Sequence, residues 1–249
     1  MSADSPVVGI VGDGLDDLVA RIERAGGRVQ TGSVDTVLSD DTDVIVTAGE
    51  TTTLSVARSR PTVPVVPVDA GRSLRSVPAD AAAGVAESLL ERNWATETHP
   101  VVGIERTGTV SDHAVMDITL VTAEAARISE FSVTASDTHI GQFRADGVVV
   151  STPAGTPSYA RRIGTPIAAP ETSVVTVAPI APFATDPDHW IVPDDCLEVT
   201  VERDDAVVTL AADGRSMDPV DPGEPVTLAV DGTVTVAVLA ESRPRFPLR

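Results

Sequence analysis

The hydrophobic pattern of the chain changes near Asn93, and this change constrains the fold more than any other feature. Before it, short β-branched runs alternate with segments of helical spacing. After it, one short β-branched run follows another between Asp, Gly and Pro residues. The first pattern predicts an open, largely parallel sheet with helices on both faces, and the second predicts a domain that is mostly β.

The segments that carry this prediction also divide the chain. Strands are predicted at "VVGIV", "DVIVTAG" and "VPVVPV" and near Arg28–Thr31, and helices around Leu15–Ile22, from "TLSVARSR" onward and over Pro78–Arg92. We therefore expect an N-terminal Rossmann-like open α/β domain over residues 1–95 and a C-terminal β-rich, β-sandwich-like domain over residues 96–235. Residues 236–249 are expected to form a tail that returns to the N-terminal domain.

The charge balance is strongly acidic. Asp and Glu total 37 against 18 basic residues, which gives a net charge of −19, and acidic pairs such as Asp16-Asp17 and Asp194-Asp195 are scattered along the chain. A solvated acidic coat of this kind suits high salt, where repulsion between like charges is screened, so it predicts a halophilic source. The same charge disfavours nucleic acid and anionic membranes as partners.

All 18 basic residues are arginine. Without lysine, the chain has neither the Walker-type lysine that reaches the β- and γ-phosphates nor the Schiff-base lysine of pyridoxal phosphate enzymes, so both mechanisms are excluded. Cys196 is the one cysteine, and "MSADSPVVGIVGDG" shows no basic leader region, so a cytoplasmic location is expected. The histidines show no metal-ligand spacing, so no metal-binding residue is predicted.

The richest candidate for a site is "FRADGVVVSTPAGTPSYARRIGTPIAAP", residues 143–170. A strand runs into a loop of Ser, Thr, Gly and Pro that offers hydroxyls and unhindered amides to a polar ligand, and a tyrosine ring follows on which a base could stack. By composition alone, a well-capped loop leading into a short helix explains the stretch equally well. The stretch closely resembles the NAD kinase family motif D-G-[LIV]-x-[LIV]-S-T-P-x-G-S-T-A-Y, matched in order by Asp146, Gly147, Ser151, Thr152, Pro153, Gly155 and Tyr159.

The resemblance to NAD kinases covers most of the chain. "AVMDITLV" is similar to the family's A-L-N-E-x-x-[LIV], with Asp117 at the acidic place, and "LAADGRSMDPVDPGEPVTLAV" is similar to its D-G hairpin, with Asp213 and Gly214 in step. "VPVVPVDAGRSLRSV" resembles P-V-x-G-[IV]-N-x-G-x-L-G-F, with Asp69 and Gly71 at the Asn and the second Gly. In this alignment "TAGETT" is the counterpart of the family's G-G-D-G-T loop.

The resemblance implies a NAD kinase-like fold and a phosphotransferase. Members of the family transfer a phosphoryl group from ATP, or in some cases polyphosphate, to the 2′-hydroxyl of NAD to give NADP; Mg²⁺ accompanies the donor, and the proteins assemble as dimers or tetramers. Carried over by position, Glu50 would be the catalytic base. Roles in binding the nucleotides would fall on Gly49, Thr51, Thr52, Asp117, Arg144, Asp146, Thr156, Ser158, Tyr159 and Asp213.

The chain departs from the family pattern at several of these places. Glu50 replaces an Asp and moves the carboxylate by one carbon, about 1.5 Å. Thr51 and Ala48 replace glycines, Met116 replaces an Asn, and Pro157 replaces a Thr. Two further hypotheses therefore stay open: a catalytically degenerate homologue that binds NAD(P) or another nucleotide without phosphorylating it, and a kinase acting on a lipid or sugar with a G-G-D-G-T-like loop.

Overall fold

The computed structural model describes residues 6–39, 41–124, 127–204 and 206–246, so residues 1–5 of the predicted N-terminal domain and 247–249 of the predicted tail lie outside it. The chain forms two compact units. The N-terminal unit is Met1–His99 together with Thr233–Arg249, and the C-terminal unit is Pro100–Gly232. The sequence prediction put the corresponding divisions after residues 95 and 235.

The N-terminal unit alternates strands and helices. Its elements are β1 (Val7–Val11), α1 (Asp16–Arg24), β2 (Arg28–Thr31), α2 (Val34–Ser39), β3 (Val44–Ala48), α3 (Glu50–Arg58), β4 (Val65–Val68), a 3-10 helix (Ala79–Val85) and α4 (Ala86–Glu91). The strands pair in parallel in the order β2-β1-β3-β4. β1, β3 and β4 are buried along almost their whole length, as expected of parallel strands covered on both faces.

Helix α1 shows how the sequence sets its own limits. Leu18 and Ile22 are four residues apart and buried on one face, while Asp16 and Asp17 lie in the first turn, where the helix dipole favours negative charge. The helix ends before Gly26, whose φ of 82° suits glycine. The local pattern therefore specifies both the buried face and the two ends.

Two helical segments differ from the prediction. The stretch Pro78–Arg92, predicted as one helix, is a 3-10 helix followed by the short helix α4. Gly84, a weak helix former, lies in the 3-10 part. Helix α2 was not predicted. In the described part of the chain, no helix is both long and apolar enough to span a membrane.

The C-terminal unit is almost entirely β. Its elements are β5 (Ala95–Arg106), β6 (Thr109–Ala114), β7 (Asp117–Thr122), β8 (Ser129–Ala135), β9 (Thr138–Ser151), α5 (Tyr159–Arg162), β10 (Val174–Pro182), β11 (Trp190–Pro193), β12 (Leu197–Arg203), β13 (Val208–Ala212), β14 (Arg215–Val220) and β15 (Pro225–Val238). Strand β5 begins, and β15 ends, in residues of the N-terminal unit. The main order is β14-β13-β7-β9-β8-β12-β15, while β10 pairs with β9 and β11, and β5 pairs with β15 and β6.

Alternating burial defines the core of this unit. In β8 and β12 every second residue is buried, the pattern of antiparallel strands with one face covered. Phe131 of β8 is fully buried and packs against Phe143 with ring centroids 6.1 Å apart. Phe143 in turn stacks on Trp190 at 5.7 Å. Phe131 belongs to the hydrophobic core of the C-terminal unit, and Phe143 and Trp190 pack against that core.

We expect Phe131→Ala to lower the free energy of unfolding by about 3–5 kcal/mol, because it removes a buried ring and leaves a cavity. Phe183 provides a matched control, since its side chain is 73% exposed, and Phe183→Ala should change stability by about 0.5 kcal/mol or less. Guanidinium unfolding followed by circular dichroism measures both. Equal losses in the two variants would contradict the assignment of Phe131 to the core.

Candidate functional site

The loop after β3 lies at the carboxyl edge of the parallel sheet. β1 pairs with β2 on one side and β3 on the other, and open α/β sheets bind ligands where the strand order switches in this way. Gly49 has φ 83° and ψ 160°, and Glu50 begins α3 directly after it. The sequence prediction began this helix at Thr53. The exposed carboxylate of Glu50 therefore stands at a helix N-terminus, where the dipole stabilises negative charge.

Buried threonines fix this loop from below. The amide and hydroxyl of Thr53 both donate to the carbonyl of Gly49, at 3.1 and 2.8 Å, and the amide of Gly49 donates to the carbonyl of Val68 at 2.8 Å. Because the Thr53 hydroxyl proton is used, the Thr47 hydroxyl donates to Thr53 Oγ1 at 2.8 Å. The prediction missed Thr47 and Thr53. The sequence signal available for Thr47 was a polar residue next to last in the apolar strand "VIVTA".

Thr51 and Thr52 lie in the first turn of α3. The position that is glycine in the family pattern is thus helical here and needs no positive φ, so threonine fits without strain. Amides of a first turn have no preceding helical carbonyl to bind, and they form a natural anion site. The Glu50 side chain leans toward the next loop, since a Cβ built on Gly71 would lie 3.8 Å from Glu50 Oε2.

In the C-terminal unit, Asp213 organises the strand that carries Asp117. Asp213 and Gly214, with φ of 49° and 74°, form the two-residue turn between β13 and β14. The Asp213 carboxylate accepts hydrogen bonds from the amides of Val115 at 3.1 Å, Met116 at 2.7 Å and Asp117 at 3.4 Å. Asp213 thus positions the start of β7, and its direct contact with a nucleotide stays a prediction.

The Ser/Thr/Gly/Pro loop after β9 is docked on the same segment. The Thr152 amide donates to the Met116 carbonyl at 3.0 Å, and its hydroxyl donates to the Val115 carbonyl at 2.6 Å. Gly155 lies so close that an added Cβ would be 2.0 Å from the Met116 carbonyl oxygen. The Met116 side chain itself is buried. The glycine of the motif is therefore required by this close approach, whatever the loop binds.

Near the end of the loop, one hydroxyl group is buried and used in the structure, and two others are exposed to solvent. Thr156, a predicted binding residue, is fully buried; its hydroxyl donates to the Pro153 carbonyl at 2.9 Å and accepts from the Ala168 amide at 3.0 Å. Ser158 and Tyr159 are exposed, and Tyr159 opens the short helix α5. The side chains available to a ligand are therefore those of Ser158 and Tyr159.

Arg144 and Asp146 lie on β9, several residues before the loop that follows this strand. Asp117 is opposite Ser151 in the β7–β9 pairing, and Asp146 is five residues earlier on β9, about 16 Å along the strand. Arg144 is exposed, and its guanidinium carbon lies 5.9 Å from the centre of the Phe183 ring. The structure thus brings Asp117 together with the Ser151–Tyr159 loop and sets Arg144 and Asp146 apart from them.

We expect Asp213→Asn to destabilise the protein by about 1–3 kcal/mol, because one amide oxygen cannot replace a carboxylate that accepts several backbone N–H groups. Asp137→Asn is the control: Asp137 also has a positive φ, 63°, and is exposed, so both substitutions face the same backbone constraint. Denaturant unfolding of the two variants is the measurement. A loss as large in Asp137→Asn would show that the turn, and not the carboxylate network, is responsible.

The chain is similar in sequence to known NAD kinases. The family model of the ATP-NAD kinase C-terminal domain matches residues 116–236. NAD kinase of Methanosarcina mazei is 31% identical over 193 residues, which are 74% of this chain and 65% of the relative. NAD kinase of Methanosarcina acetivorans is 29% identical over 191 residues, 74% of this chain and 68% of the relative. The chain thus spans about two thirds of the length of these relatives.

Solved structures share the fold. Yeast NADH kinase complexed with NADH superposes with a TM-score of 0.78 at 16% identity, covering 96% of this chain and 85% of that one. An NAD kinase from Archaeoglobus fulgidus in complex with ATP gives 0.75 at 20% identity, covering 92% of each chain. The predicted fold class, an α/β domain followed by a β-rich domain, is confirmed. Together with the sequence matches to NAD kinases, these findings support membership of the NAD kinase family.

Proposed function

We propose that the chain is a NAD kinase-type phosphotransferase, which transfers a phosphoryl group from ATP or polyphosphate to the 2′-hydroxyl of NAD and releases NADP. Membership of the family supports this proposal. So do the two fold neighbours, one solved as a complex with NADH and the other as a complex with ATP. The observation that carries it is the position of Glu50, whose carboxylate and first-turn amides stand together at the carboxyl edge of a parallel sheet.

Glu50 acts as the general base. Its carboxylate accepts the proton of the 2′-hydroxyl as that oxygen bonds to the transferred phosphorus, while the bond from phosphorus to the leaving ADP or shortened polyphosphate breaks. The amides of Thr51 and Thr52 bind phosphate oxygens at the helix N-terminus. Gly49, whose amide donates to the Val68 carbonyl, shapes the turn that presents them. Mg²⁺ bound to the donor would offset the phosphate charge. Among the described residues, no group of three or more His, Cys, Asp or Glu could hold a metal ion.

The NAD-binding residues are those of the C-terminal unit. Asp117 and Asp146 accept hydrogen bonds from ribose hydroxyls and the nicotinamide amide, and Arg144, Ser158 and Tyr159 line the adenosine pocket. Asp117 lies opposite Ser151 of β9, and Asp146 is five residues before Ser151, so the two acidic residues are about 16 Å apart along the strand direction. A ligand that touches both must either span that distance or contact two copies of the chain. We therefore also propose a homo-oligomer, a dimer or tetramer. Thr156 and Asp213 act through the backbone that they hold.

Purified protein should be assayed at high salt, because the net charge of −19 calls for screening. The assay supplies NAD and Mg²⁺ with ATP in one arm and polyphosphate in another, and detects NADP with an NADP-specific dehydrogenase. NADP formation in either arm supports the proposal and identifies the donor. The proposal would be refuted if no donor gave NADP from NAD and no donor gave NADPH when NADH replaced NAD as the acceptor. The free cysteine Cys196 is consistent with our further proposal of a cytoplasmic location.

A catalytically degenerate homologue is the second candidate, favoured by the replacement of Asp with Glu50. In that case NAD binds with ordinary affinity in a calorimeter but neither the natural chain nor Glu50→Asp makes NADP. A rise in rate for Glu50→Asp would instead identify a working base set one carbon too far from the hydroxyl.

We expect Glu50→Gln to lower kcat by about 10²–10⁴-fold while NAD still binds, because the amide cannot accept the proton. Glu23→Gln, at an exposed position on α1, is the charge-matched control and should leave the rate unchanged. Steady-state NADP formation gives the rate and calorimetry gives NAD binding. An unchanged rate in Glu50→Gln would remove Glu50 from the mechanism.

A further inference from the structure

The loop of residues 69–77 lies beside Glu50 and is closed at its neck. The Asp69 amide donates to the Val77 carbonyl at 2.9 Å, and the Val77 amide donates to the Pro67 carbonyl at 2.8 Å. Within the loop, the hydroxyl of Ser76 donates to the carbonyl of Gly71. Gly71 of this loop lies close to Glu50, since an added Cβ would be 3.8 Å from Glu50 Oε2. The shape of this loop therefore sets part of the surroundings of the carboxylate.

The loop carries backbone strain. Asp69 and Arg75 have φ of 52° and 54°, in the left-handed region that non-glycine residues seldom occupy, and Gly71 has φ of 77°. Each such non-glycine residue is strained relative to the commonly occupied backbone regions. A conformation of this kind persists only when surrounding contacts hold it.

The C-terminal segment Leu239–Phe246 supplies those contacts. The Arg243 amide donates to the Ser76 carbonyl at 3.0 Å, and Arg75 Nε donates back to the Arg243 carbonyl at 2.8 Å. Arg245 Nη1 donates to the Ser73 carbonyl at 3.2 Å. Arg243 Nη2 lies 3.7 Å from the exposed Asp69 carboxylate, too far and too solvated to contribute much. Three carbonyl contacts thus join the segment to the loop.

Glu97 joins loop and segment a second time. Its carboxylate lies 3.0 Å from Arg245 Nη1, 3.6 Å from Arg75 Nη1 and 3.0 Å from Nε2 of the buried His99. Burial raises the pKa of Glu97, but the close approach of His99 and the charges of Arg245 and Arg75 outweigh it and hold the pKa below its usual value. Glu97 is therefore ionised at neutral pH and pairs with both arginines.

Arg245 is the centre of this arrangement because it contacts both partners. Its side chain is only 3% exposed, and one nitrogen, Nη1, donates both to the loop carbonyl of Ser73 and to the Glu97 carboxylate. A buried guanidinium is expensive to desolvate unless its donors are used, so its place is fixed by these acceptors. Arg245, which is 195 positions after Glu50, thereby constrains the 69–77 loop that lies beside Glu50.

We propose that Arg245 is a positioning residue: by holding the 69–77 loop against Glu50, it sets the orientation of the carboxylate that accepts the substrate proton. This inference rests on the proposed function for its catalytic part. The part that concerns the loop does not, because loop order can be measured without any reaction.

The test compares Arg245→Met, which keeps much of the apolar stem and loses the fork, with Arg24→Met at an exposed position on α1. Hydrogen–deuterium exchange at high salt reports loop opening. In Arg245→Met we expect amides of residues 70–77 to exchange at least about tenfold faster, while those of β3 are unchanged. We expect kcat to fall about tenfold to hundredfold with KM for NAD within about threefold, because orientation and not binding is lost. Arg24→Met should change neither.

Arg245→Lys completes the series and replaces Arg245→Met if the latter does not fold. Arg245→Lys keeps the charge but loses the planar fork. Its loop exchange rates and its kcat should therefore both be intermediate between those of the natural chain and those of Arg245→Met. Unchanged loop exchange in the variants overturns the proposal, and so does faster exchange with unchanged kcat, or a loss confined to KM. If the natural chain makes no NADP, the proposed function and the catalytic part fall together, while the exchange data still decide whether Arg245 holds the loop.

Discussion

The pairing of strand β15 is the constraint on which both units depend. Its first half completes the antiparallel sheet, with Leu228 opposite Leu197 and Val226 opposite Val199. Its second half adds to the parallel sheet, with Val236 beside Val65 of β4. One strand therefore commits the last residues of the chain to the N-terminal unit. Without this return, the segment after Val238 would not reach the 69–77 loop, and that loop would have to hold its own strained backbone.

Local sequence patterns were sufficient for the fold class but not for the contacts that shape the candidate site. Continuous apolar runs identified the buried parallel strands β1 and β3, and short β-branched runs between Asp, Gly and Pro residues indicated the strands of the C-terminal unit, because both patterns can be read locally. The carboxylate of Asp213 instead binds amides 96 to 98 positions earlier, and Arg75 binds a carbonyl 168 positions later. No local period encodes such pairs. Resemblance to a family supplied Glu50 and Asp117, whereas Thr47, Thr53 and Arg245 required coordinates.

The altered loop is less of a departure than the residue changes imply. In the family pattern the residue after the acid is glycine, and in this chain it is Thr51. The structure places the positive φ at Gly49 and lets the helix begin at the acid itself, so Thr51 is an ordinary helical residue. What the change from Asp to Glu alters is reach alone. The opposing loop, with Gly71 offering no side chain, leaves room for the longer acid.

The exclusive use of arginine fits this arrangement. Arginines that donate a hydrogen bond to a carboxylate also donate to backbone carbonyls in three places: Arg106 to Glu224 and the Pro219 carbonyl, Arg215 to Asp112 and the His113 carbonyl, and Arg245 to Glu97 and the Ser73 carbonyl. A guanidinium presents five N–H groups in a fixed plane and can satisfy a carboxylate and a carbonyl at once, whereas an ammonium is a more strongly hydrated point charge. In a chain with a net charge of −19, the few cations contribute most where they bind several acceptors. The acidic surface and the arginine forks are thus two consequences of one composition. Carboxylates that face solvent need only water and salt, whereas partly buried carboxylates are bound by arginine forks or, like that of Asp213, by backbone amides.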